Sequence, residues 1–449
     1  MSKYFTYDEN GKMIFSDFSC SCGLEHRIPT QSVYIKSGLL EKIPEMIREK
    51  ELGTHCVVVC DNNTYKVAGK RVIEILERAG FDVIRCVINR EGEMLPDETA
   101  VGEVLLSIQP ETEFLVSVGS GSVTDTTRVN ATRTGLPFVA VATAPSMDGY
   151  ASATSSMAMD GLKVSLNSRC PDVIVGDTDI LKNAPMHMLQ AGLGDMLAKY
   201  ISLAEWRIAH LITGEYYCER VAALVRSALD ACVKNADGLL RRDETAVQAV
   251  FDGLIIGGVA MAFAGVSRPA SGVEHYFSHV WDMRALEFGT PAELHGIQCA
   301  IGTLAAVRLY EKLRTMTPDA EKARAYVEAF DYEAWAAQLR AFLGRSGETM
   351  IALEKKEGKY RKDTHPARFA RIQACWPEIL RILDEELPSA EALSQLLSRL
   401  GMPQDASVIG VDTETMRLSF RATKDIRDKY VLSRLAWDLG VLDELCALL

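Results

Sequence analysis

The stretch Phe114-Leu-Val-Ser-Val-Gly-Ser-Gly-Ser-Val-Thr-Asp125 decides the fold. Its first five residues lack polar alternation, as expected of a strand buried on both faces, and from Val123 to Thr134 the apolar positions recur with helical spacing. Between strand and helix lies Gly119-Ser120-Gly121-Ser122. A helix entered through glycines presents unpaired backbone N–H groups and the positive end of its dipole, a natural cradle for phosphate. The third glycine of the common dinucleotide fingerprint is missing, because Thr124 occupies the sixth position. The loop therefore reads either as a holder for a phosphate-bearing cofactor or as a tight strand-to-helix turn.

The same alternation extends to both sides. Val57 to Cys60 predicts a strand ending at Asp61-Asn62-Asn63, and Tyr65 to Ala79 a helix stopped by Gly80. Asp82 to Ile88 predicts a second strand, Asp97 to Ile108 a helix and Phe138 to Ala142 another strand. Ala151 to Ser168, with a turn at Asp160-Gly161, predicts a hairpin, and Val173 to Val175 one more strand. Strands alternating with helices imply an α/β domain with a mainly parallel sheet, whose ligands lie beyond the carboxyl ends of the strands. Asp61 stands at such an end, where it can face an adenosine ribose or cap the next helix. Beyond Pro185 long helical patterns take over, at His187 to Ile212, Tyr216 to Leu240, Thr245 to Ala264 and onward. The expected division is an α/β dinucleotide-binding domain over 1–185 and an all-α domain over 186–449.

The 449 residues suffice for two or three cored domains, and 49 Lys and Arg against 61 Asp and Glu leave a net charge of −12. That sign disfavours general binding to nucleic acid or anionic membranes. The eleven cysteines are odd in number and sit mostly in apolar runs, as reduced thiols of a cytoplasmic protein would. The charge-free run from Gly253 to Ser267 is shorter than the ~18 residues of a membrane span. The charged stretch from Glu354 to Arg371 reads as a solvated loop and helix face. Near the N-terminus, Cys20-Ser-Cys22-Gly-Leu-Glu-His26 reads as a strand and turn with free thiols or as part of a second metal site; three donors do not close a structural zinc site.

Chemistry-bearing residues gather in the helical half. His275 and His279 are four apart and share a helix face, and His295 follows. These are three of only eight histidines in the chain. With Asp195 of Gly194-Asp195, two or three imidazoles and one carboxylate suit a divalent metal that keeps open positions. Thr143-Ala-Pro-Ser-Met-Asp-Gly-Tyr150 leaves the strand at Phe138 to Ala142 on the same sheet edge as the glycine loop, so its hydroxyls and Asp148 can line a cleft.

Taken in order, GSGSVTDTTR, ATAPSMDGYASA, AGLGDMLAKYISLAEWRIAH, SGVEHYFSHVWD and LHGIQCAIGTL resemble the bacterial sn-glycerol-1-phosphate dehydrogenases. That family lies within the superfamily of iron-containing alcohol dehydrogenases, glycerol dehydrogenases and dehydroquinate synthase. The resemblance spans about residues 30 to 310. It implies reversible reduction of dihydroxyacetone phosphate to sn-glycerol 1-phosphate by NADH or NADPH, with the ketone oxygen polarised by a divalent metal. By position, Asp195, His275 and His295 correspond to the metal ligands, and Asp148 to the aspartate facing the substrate. His279 falls near the nicotinamide, where it or a water relays the proton. Gly119, Ser120, Gly121, Ser122 and Asp125 match the pyrophosphate loop, and Thr143 and Ser146 the neighbouring dinucleotide contacts.

One departure from the superfamily is Lys199, which stands where iron-type members carry a further histidine. An ammonium there disfavours a four-ligand iron site and suits a substrate phosphate, with a salt bridge as the rival role. Lys163, Arg169 and Arg268 are weaker phosphate candidates. The ligand set suits zinc, nickel or iron; the family is known for nickel or zinc. Asp61, if it contacts the ribose, favours NAD over NADP. The alternatives are a polyol dehydrogenase for unphosphorylated glycerol, a dehydroquinate-synthase-like cyclase and a non-catalytic sensor. A homodimer or higher homo-oligomer is expected.

Overall fold

The computed structural model describes residues 5–15, 17–27 and 32–449. Two short hairpins open the chain: β1 (Thr6–Tyr7) with β2 (Met13–Ile14), and β3 (Phe18–Ser19) with β4 (Glu25–His26). Then follow β5 (Ser32–Lys36), α1 (Ile43–Glu49), β6 (His55–Asp61), the turn α2 (Asn62–Thr64), α3 (Lys70–Arg78), β7 (Asp82–Ile88) and α4 (Glu98–Ser107). The glycine stretch joins β8 (Phe114–Gly119) to α5 (Gly121–Thr134), followed by β9 (Phe138–Ala142), the hairpin β10 (Thr154–Met159) and β11 (Leu162–Asn167), β12 (Val173–Asp177) and α6 (Thr178–Leu181).

Six strands form one parallel sheet in the order β5-β12-β9-β8-β6-β7. The side chains of β8, β9 and β12 are buried throughout, which accounts for their unbroken apolar runs. From β6 the chain steps outward to β7, then returns to β8 on the opposite side of β6. Strand order thus reverses between β6 and β8, where open α/β sheets bind ligands beyond the strand ends. Those ends are Asp61 and Gly119.

From residue 186 on the chain is helical: α7 (Met186–Leu197), α8 (Lys199–Thr213), α9 (Glu219–Asn235), α10 (Glu244–Ala264), α11 (Val273–Phe288), α12 (His295–Arg314) and further helices to the C-terminus. Several sequence expectations need correction. The run from His187 to Ile212 is two helices parted at Ala198; inside the second, the Ser202 hydroxyl donates to the Pro269 carbonyl at 3.1 Å. Tyr216 to Leu240 starts only at Glu219 and ends in a 3-10 segment, and Tyr65 to Gly69 is a π-helical lead-in to α3. Strand β5 was not anticipated; it is a five-residue edge strand whose ladder partner is β12, far along the chain, with a single antiparallel bridge from Tyr34 to Lys12 on its other side.

The chain forms two compact units, residues 1–196 with 220–266, and residues 197–219 with 267–449. In the first, α10 is long and apolar enough to cross a membrane, but 72% of its apolar window is buried as a core helix. It also carries Asp252, whose carboxylate accepts a 2.5 Å hydrogen bond from the Tyr7 hydroxyl. Burial pushes the Asp252 carboxyl up to about 7.

Candidate active site

In the first unit, the loop after β8 and the loop after β9 are laced together. The Thr143 N–H donates to the Gly119 carbonyl (3.1 Å), and the Ser120 and Ser146 hydroxyls lie 2.6 Å apart. The wholly buried Tyr150 places its hydroxyl 3.1 Å from the Gly119 carbonyl and 2.9 Å from that of Ala144. A Cβ on Gly119 would lie 2.5 Å from the Val123 side chain, so only glycine lets β8 turn this sharply into α5. Helix α5 begins at Gly121 with no side chain capping its first N–H groups, which suits a phosphate at the strand-order reversal.

Asp125 does not face outward from this loop. Its carboxylate pairs with Arg128 at 2.6 Å and accepts the Ser156 N–H at 3.0 Å, and burial pushes it up to about 6. Arg128, buried and not anticipated, also donates to the Gly149, Tyr150 and Thr154 carbonyls, fixing the loop that carries Asp148. Asp61 caps α2, with Oδ1 accepting from Asn63 N (2.8 Å) and Thr64 N (2.7 Å).

Asp195 is buried near the end of α7. A Cβ on Gly192 would fall 1.8 Å from the Pro145 carbonyl oxygen, so this helix touches the Thr143–Tyr150 loop through bare backbone. One turn on, Asp195 Oδ2 accepts the Asp148 N–H at 2.8 Å, which brings the two predicted carboxylates together.

The second unit holds the imidazoles. His275 and His279 lie one turn apart on α11, and His295 opens α12. A Cβ on Gly302 would meet the Glu274 carbonyl oxygen at 2.8 Å, so α11 and α12 approach closely there. The His275 and His295 rings are 5.0 Å apart and those of His279 and His295 6.0 Å. Ligand atoms of His275, His295 and Cys299 all lie within 4.8 Å of one another.

Hydrogen bonding sets both tautomers. His275 Nδ1 faces the buried Glu274 carboxylate at 2.8 Å; a carboxylate only accepts, so Nδ1 carries the proton and Nε2 the lone pair. For His295 the direction runs through three side chains. Gln298 Nε2 donates to Asp282 (3.0 Å), which turns Gln298 Oε1 toward Ser278; the Ser278 hydroxyl donates to that oxygen (2.5 Å) and so accepts from His295 Nδ1–H (2.7 Å). His295 Nε2 is again left basic. Two imidazoles prepared in this way fit a divalent metal. The sequence reading missed Glu274, Ser278, Gln298 and Cys299. Cys299 had a signal, the same i, i+4 spacing from His295 that links His275 to His279.

Among the phosphate candidates, Lys199 opens α8, is fully buried and donates to the Ala270 carbonyl at 3.0 Å. Arg268 is spent on Glu215, with both nitrogens at 2.5 Å, and on the Tyr430 carbonyl. Arg169 is held by Asp172 and the Leu136 carbonyl. Lys163 lies in β11.

The family model of iron-containing alcohol dehydrogenases matches residues 34–185. A probable glycerol dehydrogenase from Sinorhizobium meliloti shares the fold, with TM-score 0.59, 16% identity and 93% of this chain aligned to 97% of that one. The chain thus shares the fold of that protein, and its residues 34–185 are similar to the iron-containing alcohol dehydrogenases. Curated relatives narrow the likeness. The glycerol-1-phosphate dehydrogenase [NAD(P)+] of Halalkalibacterium halodurans is 35% identical over 317 residues, 70% of this chain and 77% of that one. The enzyme of the same name from Methanosarcina barkeri is 37% identical over 283 residues, 62% and 76% of the two chains. The chain belongs to the glycerol-1-phosphate dehydrogenase family.

Proposed function

We propose that the chain catalyses the reversible reduction of dihydroxyacetone phosphate to sn-glycerol 1-phosphate with NADH or NADPH. The observation that carries this reading is the pair of histidines in the second unit, each held with Nε2 basic, in a chain of this family. Asp195, His275 and His295 are assigned as metal ligands, with the Cys299 thiol beside them. When bound there, a divalent metal supplies Lewis-acid polarisation of a ketone oxygen, and zinc or nickel fits one carboxylate and two imidazoles.

The chain's own residues do the rest. The N–H groups of Gly121 and Ser122, with the Ser120 and Ser146 hydroxyls and Thr143, receive the dinucleotide pyrophosphate; Gly119 and Asp125 shape the turn from beneath. Asp148, its backbone anchored on Asp195, orients the substrate hydroxyls. His279 delivers the proton to the developing alkoxide. Lys199 contributes the positive charge for the substrate phosphate. Residues 1–185 serve as the dinucleotide-binding domain and 186–449 as the helical domain that holds the metal.

Oxidation of NADH and of NADPH by the purified enzyme, given dihydroxyacetone phosphate or dihydroxyacetone, tests the substrate class. Metal-dependent turnover confined to the phosphorylated ketone is expected. Turnover of dihydroxyacetone alone would make the protein a polyol dehydrogenase and overturn the reading.

A further inference from the structure

Outside the candidate active site, the hairpin β3–β4 raises a separate question. Its strands pair over only two residues each, Phe18 with His26 and Ser19 with Glu25. Such a short ladder does not sustain itself in water. The ring contacts of Phe18 and His26 with Phe263 of α10, at 5.5 and 5.6 Å, supply part of what holds it. The turn between the strands supplies an unusual concentration of soft donors. Cys20 N–H donates to the Leu24 carbonyl (3.1 Å) and Gly23 N–H to that of Cys20 (3.0 Å), curling the chain so that Cys20 and Cys22 face the same side as His26. One ligand atom from each of these three residues lies within 4.8 Å of the others, and Cys22 Sγ is 3.3 Å from His26 Nε2.

His26 is wholly buried, and its tautomer is set. Nδ1 lies 2.8 Å from the Phe263 carbonyl oxygen, which can only accept, so Nδ1 carries the proton and the Nε2 lone pair points at the sulfur. An imidazole oriented by a backbone carbonyl on its far nitrogen is the usual arrangement of a metal-ligating histidine. A fourth donor is required to close such a site. Covalent continuity supplies it. The Arg220 guanidinium sits 4.0 Å above the Phe18 ring and donates to the Ser19 carbonyl at 3.3 Å. Cys218 precedes Arg220 by two residues, a span of at most about 7 Å.

We propose that Cys20, Cys22, His26 and Cys218 bind a structural zinc ion that pins the N-terminal hairpin in place. Three thiolates and one imidazole form a closed tetrahedral set, and soft sulfur donors select zinc over the harder divalent ions. No position remains open for a substrate, and none of the four residues has a role in the dehydrogenase reaction. Binding ejects the thiol protons to solvent and changes no oxidation state.

Metal analysis of the purified full chain tests this. The double variant His275→Ala/His295→Ala is expected to retain about one zinc per chain, and Cys20→Ser/Cys22→Ser to lose that equivalent. With cobalt(II) in place of zinc, the His275→Ala/His295→Ala chain should show a thiolate-to-cobalt charge-transfer band that persists on adding Cys299→Ser and vanishes on adding Cys20→Ser/Cys22→Ser. Should a cysteine variant fail to fold, titration of the unaltered enzyme with an organomercurial beside a zinc-sensitive dye gives the same information: zinc released in step with three thiols supports the site. A metal content unchanged by Cys20→Ser/Cys22→Ser, or no zinc beyond that lost with His275 and His295, overturns it.

Discussion

The metal-binding face of each imidazole depends on the direction in which protons point. The order Asp282, Gln298, Ser278, His295 leaves one nitrogen basic only because each side chain fixes the next. Gln298→Leu removes the acceptor for Ser278, whose hydroxyl can then turn and donate to His295 Nδ1, putting the proton on the wrong nitrogen. Metal affinity is expected to fall by about 10- to 100-fold, with activity restored at raised metal concentration in a metal titration. Lys199 makes a different prediction. Lys199→Ala should raise KM for dihydroxyacetone phosphate far more than for dihydroxyacetone; equal effects would assign Lys199 to holding the Ala270 carbonyl. The histidines were legible because spacing alone marks a shared helix face. The Ser278–Gln298–Asp282 chain was not, since a proton's direction depends on side-chain geometry that no spacing encodes. Asp61 and Asp125 show the converse: both stand at the right positions for cofactor contacts, yet one is engaged in a helix cap and the other in a buried ion pair.

Among the elements, the inner strands β6, β8 and β9 could be read from the sequence because parallel strands buried on both faces leave long apolar runs. The β10–β11 hairpin was legible from Asp160-Gly161, both of which adopt positive φ in its turn. The edge strand β5 was not legible, since its partner β12 lies on the far side of the whole sheet in sequence. The break between α7 and α8 also escaped, because neither glycine nor proline stands at Ala198 to mark it. The approach of α11 to α12 is the element contact that matters most to the site. Gly302→Ala would drive a methyl into the Glu274 backbone, and parting the helices should cost about 1–3 kcal/mol in denaturant unfolding. Weakened metal binding should accompany it, because Glu274 orients His275.

For the molecule as a whole, stability should carry the signature of the half-buried Asp252. Its folded value near 7 lies above the ordinary 3.8, so the native state holds a proton that the unfolded chain has released through the interval between them. The contribution of this group is therefore present below about pH 4 and is lost as the pH rises to 7. Asp252→Asn, which keeps an oxygen for the Tyr7 hydroxyl, should gain stability relative to the parent chain as the pH rises through that interval, by at most about 4 kcal/mol above pH 7. Unfolding free energies of both proteins at pH 5 and pH 8 check this; a constant difference would contradict it.

The handedness of the product shows whether the chain makes sn-glycerol 1-phosphate. Glycerol phosphate formed from dihydroxyacetone phosphate and NAD(P)H should be detected in amounts equal to the cofactor oxidised, and should be inert to a dehydrogenase specific for sn-glycerol 3-phosphate. Complete oxidation by that second enzyme would show the opposite enantiomer, and the chain would not be a glycerol-1-phosphate dehydrogenase.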